Sequence, residues 1–203
     1  MTWTPVAPDA LTGRVAEALA EAPGVVRVAI DGPPCADPDS FAAALLDPLR
    51  TLGRRAAQIR ASSFWRDASL RLEHGREDVE SYLSWLDADA LRREVLDAAV
   101  SSGHYLPSLR DPVTNRSTRD APRAVDPNLV LLVSGSLLLR HALPFDRTIH
   151  LAMSPATRAR RTPAEDAWTL PAYEAYDADV RPSEVADVVI KLDDPRHPAI
   201  SSS

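Results

Sequence analysis

Apolar and polar residues follow two different periods along this chain, and their alternation predicts strands separated by helices. Short runs predict strands at 25–30, 54–61, 129–135, 147–153 and 186–192. The run LVLLVSG at 129–135 is apolar at nearly every position, which is typical of a strand buried on both faces of a parallel sheet. Strands that alternate with helices therefore predict an α/β fold with a mainly parallel sheet.

Helical spacing of apolar residues predicts the elements between those strands. Helices are expected at 9–21, 40–51 and 86–100, as short pieces within 64–85, from Ser154 or Thr157 onward, and across a charged excursion at 163–182. Asp37 or Asp39 is expected to cap the helix that begins near Ser40, because an aspartate oxygen accepts the unpaired N–H groups of a first helical turn.

The first predicted strand leads into a loop with the outline of a phosphate-binding loop. The residues VVRVAIDGPPCADPDS precede a helical pattern, which is the strand–loop–helix setting of the motif GxxxxGK[ST]. With its first glycine placed on Gly32, the second glycine of the motif falls on Asp37. Its lysine then falls on Pro38 and its hydroxyl residue on Asp39. The single lysine of the chain is Lys191, so a shifted alignment brings no lysine to this loop.

The residues in this loop oppose phosphate binding. A phosphate loop works through backbone N–H groups, the dipole of a helix N-terminus and a lysine. Pro33, Pro34 and Pro38 have no N–H group to donate. Asp37 and Asp39 place negative charge where phosphates would lie, and the same charge stabilises the start of a helix. The loop is therefore predicted to cap its own helix rather than bind a nucleotide.

Composition narrows the class of protein further. A chain of 203 residues with 45% hydrophobic content is expected to form one domain with a sizeable core. The net charge of −6 argues against a nucleic-acid partner. One cysteine, Cys35, excludes an intramolecular disulfide and a cysteine-built zinc site, and the five histidines lack metal-binding spacing. No run is long enough to span a membrane and the first residues lack a secretory pattern, so a cytoplasmic location is expected.

The order of these elements resembles that of the uridine kinase-like P-loop nucleoside kinases. The segments that carry the resemblance are VRVAIDGP, SSFW (62–65), WLDADALRREVLD (85–97), LRDPVTNR (109–116), LVLLVSGSLLLR (129–140), ATRARR (156–161) and ADVVIKLDDPRHP (186–198). The resemblance implies a three-layer P-loop NTPase-like fold with a mainly parallel sheet and a small helical lid. It also implies an N-terminal helical segment at 1–24 and a single α/β domain at 25–200, with the lid-like excursion at about 156–182.

When the family's functional residues are carried over one by one, three parts of its reaction have no matching residue in this chain. The family's acidic residue after the second strand, the presumed base on the nucleoside hydroxyl, corresponds to Ser62 or Ser63. Its acidic residue at the end of the Walker-B-type strand, which orders Mg²⁺, corresponds to Ser134. The phosphate-loop lysine and hydroxyl correspond to Pro38 and Asp39, whereas three lid arginines remain. These are Arg158, Arg160 and Arg161, for which a solvated or salt-bridged helix face is the favoured alternative.

Two hypotheses follow. The first is a catalytically inactive pseudokinase without cofactor, which binds a nucleoside-like small molecule or a protein partner, with no nucleic acid and no membrane. The second is an active nucleoside or small-molecule kinase that uses ATP and Mg²⁺ and binds phosphate unconventionally through the lid arginines. Residues assigned to the degenerate phosphate loop are Gly32, Asp37, Pro38, Asp39 and Ser40. The predicted pocket comprises Ser62, Ser63, Phe64, Trp65, Tyr82, Trp85, Arg110, Ser134, Arg158 and Arg161; stacking of its aromatic rings on a base and plain core or lid packing are equal alternatives.

Overall fold

The computed structural model describes residues 2–202, and it contains nine strands and nine α-helices within that range. The strands are β1 (Thr4–Pro5), β2 (Val26–Asp31), β3 (Arg55–Arg60), β4 (His104–Tyr105), β5 (Arg123–Ala124), β6 (Leu129–Gly135), β7 (Arg147–Ala152), β8 (Val188–Lys191) and β9 (Ala199–Ser202). All five predicted strands are present, and each differs from its predicted bounds by no more than two residues at either end.

The helices lie between these strands. They are α1 (Pro8–Ala20), α2 (Pro38–Thr51), α3 (Ala68–Arg71), α4 (Val79–Tyr82), α5 (Ala88–Leu91), α6 (Ala98–Ser101), α7 (Pro155–Arg161), α8 (Leu170–Asp179) and α9 (Pro182–Val185). Short 3₁₀ helices occupy Pro34–Ala36, Ala61–Phe64, Leu138–His141 and Ala164–Thr169, and a π-helix occupies Arg92–Asp97. None of the helices within residues 2–202 has the length and apolar character to cross a membrane.

Seven strands form one sheet in the order β1-β9-β8-β7-β2-β6-β3. Five neighbouring strands of this sheet pair in parallel, namely β8, β7, β2, β6 and β3, which confirms the predicted parallel sheet. Strand β9 pairs antiparallel with β8 and β1 pairs antiparallel with β9, so the sheet gains an antiparallel edge that the sequence analysis did not predict. These edge strands have two and four residues, and Pro5 and the terminal serines give them little apolar signal.

Helices cover both faces of the sheet. On one face, Val15 of α1 and Leu45 of α2 pack against Ile30 and Leu132 in a single buried cluster. On the other face, the segment 88–101 packs Leu91 and neighbouring apolar residues against the opposite sides of β2 and β6. The three layers confirm the predicted fold class and leave the carboxyl ends of the parallel strands as the open edge of the sheet.

Two predicted helices differ in detail from those observed. The helix expected at 86–100 is α5, the π-helix and α6 in succession, because the backbone hydrogen bonds widen at Arg92–Asp97. The helix expected near Ser40 begins two residues earlier, at Pro38. Proline fits the first turn of a helix, where its missing N–H group has no intrahelical partner.

Gly135, the last residue of β6, lies where its strand passes close to the end of β3. A Cβ atom added at Gly135 would stand 2.7 Å from the Cβ of Ala61, which is shorter than a van der Waals contact. A Cβ added at Gly13, in helix α1, would meet no atom within 4 Å. Substitution by alanine should therefore have opposite effects on the stability of the fold at these two positions.

We expect Gly135→Ala to lower the free energy of unfolding by about 1–3 kcal/mol, because two anchored atoms overlap. Gly13→Ala is the matched control and should raise it by about 0.5–1 kcal/mol through helix propensity. Urea denaturation followed by circular dichroism measures both values. Equal effects from the two substitutions would contradict the close approach of β6 and the end of β3.

Candidate functional site

The carboxyl ends of β2, β3 and β6 meet at a cavity of about 280 Å³. We call it the main cavity. In an open parallel sheet, ligands bind in the crevice outside the carboxyl ends of the strands, so this is the candidate site. The residues that line it are Pro34, Asp37, Pro38, Asp39, Ala61, Ser62, Trp65, Tyr82, Leu83, Trp85, Leu86, Ser134, Gly135, Ser136, Leu137 and His141.

The loop after β2 turns through a left-handed residue and uses its own N–H groups. Asp37 has φ 53° and ψ 62°, a left-handed conformation at the position of the second motif glycine. Its Oδ1 atom accepts the N–H of Ser40 at 3.0 Å, so Asp37 is the helix cap. The N–H groups of Gly32, Ala36, Asp37 and Phe41 donate to carbonyl oxygens of the chain at 2.8–3.2 Å. These four N–H groups and that of Ser40 are therefore engaged within the protein.

Asp39, in the first turn of α2, bonds across the cavity to the end of β6. The Ser134 hydroxyl donates to Asp39 Oδ1 at 2.5 Å, and the Gln58 side-chain amide donates to Ser134 Oγ and to the Asp39 carbonyl, both at 2.9 Å. The Nε of Arg60, at the end of β3, lies 3.8 Å from Asp39 Oδ2. Strands β3 and β6 and the start of α2 are thus joined by one polar network, in which the carboxylate lies on the helix and the hydroxyl on β6.

A second polar network lies beneath the cavity around Asp31, the last residue of β2, which is fully buried. Its Oδ2 atom contacts His150 Nδ1 at 2.7 Å and accepts the Tyr176 hydroxyl at 3.0 Å. Its Oδ1 atom accepts the N–H of Leu138 at 2.8 Å. Both carboxylate oxygens are therefore hydrogen-bonded, as a buried carboxylate requires.

Tyrosines continue this network from the sheet toward the cavity wall. Burial, and then the charge of Asp31, raise the pKa of Tyr176 well above its ordinary value, so its phenol stays protonated and donates. The hydroxyls of Tyr82 and Tyr173 lie 2.8 Å apart, and burial raises the pKa of each. Helix α8, which carries Tyr173 and Tyr176, is thereby fixed to the sheet and to α4 at once.

Aromatic rings form the wall of the main cavity that faces the lid. The ring centroids of Tyr82 and Trp85 lie 5.0 Å apart, and those of Tyr82 and Trp168 lie 5.4 Å apart, both with edge-to-face packing. Behind this wall is a second cavity of about 260 Å³, which we call the lid cavity. It is lined by Pro34, Cys35, Trp65, Tyr82, Trp85, Thr162, Pro163, Asp166, Trp168 and Thr169. Four residues line both cavities, so the two adjoin; together we call them the cleft.

Half of the predicted pocket residues line the main cavity. These are Ser62, Trp65, Tyr82, Trp85 and Ser134, and the loop residues Asp37, Pro38 and Asp39 line it with them. The other five predicted pocket residues lie elsewhere.

Three of those five residues follow the second strand or belong to the later excursion. The Ser63 carbonyl accepts the N–H groups of Leu109 and Arg110. Phe64 is fully buried in the hydrophobic core beneath α5. Arg110 forms a salt bridge with Asp67 at 3.0 Å, donates to the carbonyl of Asn115, and is not among the described residues that line the cleft.

The lid arginines are the other corrections to the predicted pocket, because each is held within the protein. Arg158 is 4% exposed, donates to Asp177 Oδ2 at 2.8 Å and stacks over the Tyr173 ring. Arg161 donates to the carbonyl oxygens of residues 192 and 193, both at 2.9 Å. Arg160 donates to Thr157 Oγ1 at 3.3 Å. The salt-bridged alternative of the sequence analysis therefore describes Arg158.

Several cleft residues escaped the sequence analysis, among them Leu137, His141, Trp168 and Asp166. Leu137 and His141 directly follow the β6 strand, and that position was the one available signal. Burial lowers the pKa of His141, and the charge of Arg140 adds to the shift. Residues 2–202 contain no group of three or more histidine, cysteine, aspartate or glutamate side chains arranged to hold a metal ion.

Comparison with known proteins places this geometry in a class. No protein-family model matches the sequence, and no curated protein matches it. Among solved structures, one described as a possible uridine kinase from Bacillus stearothermophilus is 17% identical, with a TM-score of 0.72 over 88% of this chain and 96% of that one. A candidate fructose transport system kinase from Silicibacter sp. TM1040 is 20% identical, with a TM-score of 0.56 over 86% and 94%.

The chain therefore shares its fold with these two structures, and this confirms the P-loop NTPase-like fold that the sequence resemblance implies.

We expect Asp31→Ala to lower the free energy of unfolding by about 2–5 kcal/mol, because it leaves three buried hydrogen-bonding groups without their acceptor. The control is Asp47→Ala, on α2, whose side chain is 86% exposed and should change stability little. Thermal and urea denaturation of both variants provide the measurement. A loss at Asp31 no larger than at Asp47 would show that the buried network does not stabilise the fold.

Proposed function

We propose that this protein is a catalytically inactive uridine kinase-like protein that binds a small molecule in the cleft. The observation that carries the proposal is the position of the Asp39 carboxylate. It stands at the helix N-terminus, hydrogen-bonded to Ser134, where a P-loop kinase would bind phosphate and metal.

Phosphate binding has lost both its charge and its donors. Pro38 stands at the motif's lysine position, and no lysine or arginine is among the described residues that line the cleft. The N–H groups of Gly32, Ala36, Asp37, Ser40 and Phe41 bond to Asp37 or to carbonyl oxygens of the loop and β6. The residues therefore do not fit a nucleotide triphosphate, since its negative charge would meet Asp37 and Asp39, and Arg60 is already paired with Asp39.

The metal-binding pair is exchanged between helix and strand. P-loop enzymes hold Mg²⁺ with a hydroxyl on the loop and an aspartate at the end of the Walker-B strand. Here Asp39 supplies the carboxylate from the helix and Ser134 supplies the hydroxyl from the strand. Arg60 also lies beside the carboxylate, so the local charge is already partly neutralised by the protein.

Proton acceptance alone does not restore the reaction. Ser62 lines the main cavity at the family's base position, and a serine hydroxyl is no base near neutral pH. His141 lines the same cavity and has a lowered pKa, so its imidazole is neutral and able to accept a proton. Phosphoryl transfer depends mostly on positioning and on cationic stabilisation of the phosphoryl group, which a neutral imidazole does not provide.

The alternative of an active kinase needs the lid arginines at the phosphates. Arg158 and Arg161 instead bond to Asp177 and to backbone carbonyls at the end of β8. Arg158, whose side chain is 5% exposed, would have to leave Asp177 and the Tyr173 ring to reach the cleft, and that cost disfavours the movement.

We expect no heat of binding for Mg-ATP at micromolar to millimolar concentrations, and no transfer of labelled phosphate from ATP or GTP to uridine or cytidine above a blank without enzyme. Loss of single stabilising or proton-transfer groups costs about 10²–10⁴-fold each. Two such losses leave turnover far below the roughly 1–100 per second of kinases. A micromolar dissociation constant for Mg-ATP, or transfer that Asp39→Asn abolishes, would overturn the proposal.

A variant with the phosphate-loop motif restored tests the same proposal through a gain of nucleotide binding. The triple change Asp37→Gly, Pro38→Lys and Asp39→Thr restores the motif, and Ser134→Asp returns the carboxylate to the strand. We expect the fourfold variant to bind Mg-ATP where the natural sequence does not, because the left-handed turn at position 37 is already formed. Calorimetry on the folded variant, with Gly13→Ala as a control change outside the site, measures the gain.

A further inference from the structure

The cleft combines carboxylates with aromatic rings, and we propose that its ligand is an organic cation. The expected ligand is an ammonium group on a small apolar or aromatic body. The inference rests on the proposed loss of phosphate binding, because a triphosphate and an ammonium group require opposite charges at the same place. Three independent features of the cleft point to this ligand class: the sign of its charge, the composition of its walls and its size.

The charged groups of the cleft are predominantly acidic. Asp37 and Asp39 line the main cavity and Asp166 lines the lid cavity. Arg60 approaches Asp39 from the solvent side, with its own side chain 64% exposed, so it offsets one carboxylate incompletely. His141 has a lowered pKa and is uncharged near neutral pH. The side chains that line the cleft therefore carry a net negative charge, against the Arg71 guanidinium that lies on its ring wall.

The walls provide the other partner of an organic cation. The shared boundary of the two cavities contains Trp65, Tyr82 and Trp85, and the lid cavity adds Trp168. Their centroids lie 5.0–5.9 Å apart along the chain of contacts, mostly edge to face. A cation over the face of an aromatic ring is attracted by the ring quadrupole, and several rings around one cation form the cages that recognise quaternary ammonium groups.

The protein itself binds a cation on these rings. The Arg71 guanidinium carbon lies 5.1 Å from the Trp65 ring centroid and 4.8 Å from that of Trp85, within the range of cation–π contacts. Arg71 is 7% exposed and is not among the described residues that line the cleft, whereas Trp65 and Trp85 line both cavities. The two rings therefore hold a nearly buried cation of the protein and also present part of their surface to the cleft.

The cavities have the size of a small ligand. The main cavity measures about 280 Å³ and the lid cavity about 260 Å³, near the lower end of the range for small-molecule sites. Ser62, Ser134 and Ser136 add hydroxyls at the main cavity, which suit polar substituents on the ligand. A single-ring ammonium compound therefore matches the space better than a complete nucleoside triphosphate.

The first experiment uses three probes of similar size and different charge on the full chain: benzyltrimethylammonium, benzyl alcohol and benzoate. Calorimetry and tryptophan fluorescence measure binding. We expect benzyltrimethylammonium to bind at least about tenfold more tightly than benzyl alcohol, and benzoate to bind most weakly. Raising the salt concentration should lower the affinity for the ammonium probe without abolishing its binding, because salt does not screen the contacts with the rings.

Variants then assign the binding to the cleft. Asp37→Asn keeps the cap and tolerates the left-handed backbone, and Asp39→Asn keeps an oxygen for the Ser134 hydroxyl, so both should fold. We expect each substitution to lower the affinity for the ammonium probe several-fold, and the double variant to lower it at least about tenfold. Asp47→Asn lies on the same helix, outside the lining of the cleft, and should leave binding unchanged.

Trp85→Leu is the corresponding variant for the ring wall. It should remove most of the affinity for the ammonium probe and most of the fluorescence response. Retained binding in this variant would contradict a contact between the ammonium group and the ring wall.

The outcomes separate this inference from the proposed function. Equal or tighter binding of benzyl alcohol or benzoate, or no response to the ammonium probe at millimolar concentration, overturns the cation assignment and leaves an inactive kinase-like protein standing. Tight binding of Mg-ATP that the ammonium probe does not displace overturns the proposed function itself. Ammonium binding that is lost in the Asp37 and Asp39 variants, with Asp47→Asn unaffected, supports both.

Discussion

One buried carboxylate holds together the edge of the sheet on which the cleft is built. Asp31 ends the central strand β2 and is bonded to β7 through His150, to α8 through Tyr176 and to the turn after β6 through the N–H of Leu138. A carboxylate with no exposure to water destabilises the fold unless its oxygens are hydrogen-bonded. The position of these segments relative to β2 is therefore fixed by the requirement to satisfy a single side chain.

The hydrogen bonds of Asp31 also influence the shape of the cleft. Tyr176 anchors α8 to the sheet, and the neighbouring Tyr173 reaches Tyr82 of α4 through paired hydroxyls. Tyr82 then packs against Trp85 and Trp168, which form the wall between the two cavities. The wall is thus connected to the sheet through hydrogen bonds and ring contacts of the protein alone, so its geometry does not depend on a bound nucleotide.

The loop after β2 has the outline of a phosphate loop, and its helix start is capped from within the chain. A P-loop backbone brings the start of a helix to the ends of the strands, and something negative must satisfy that helix start. Here Asp37 does so from within the chain, in the left-handed conformation that the turn requires. The start of α2 is therefore satisfied by a side chain of the protein itself.

The sequence by itself determined the order of strands and helices and the parallel core, because periodicity and local motifs are properties of neighbouring residues. It also predicted an aspartate cap at the start of α2. Only the tertiary structure decided which side chains share the cleft. Asp31 and His150 are 119 residues apart, and Arg158 faces Asp177 rather than the cleft. Such pairings depend on how distant segments pack, and no local pattern records that packing.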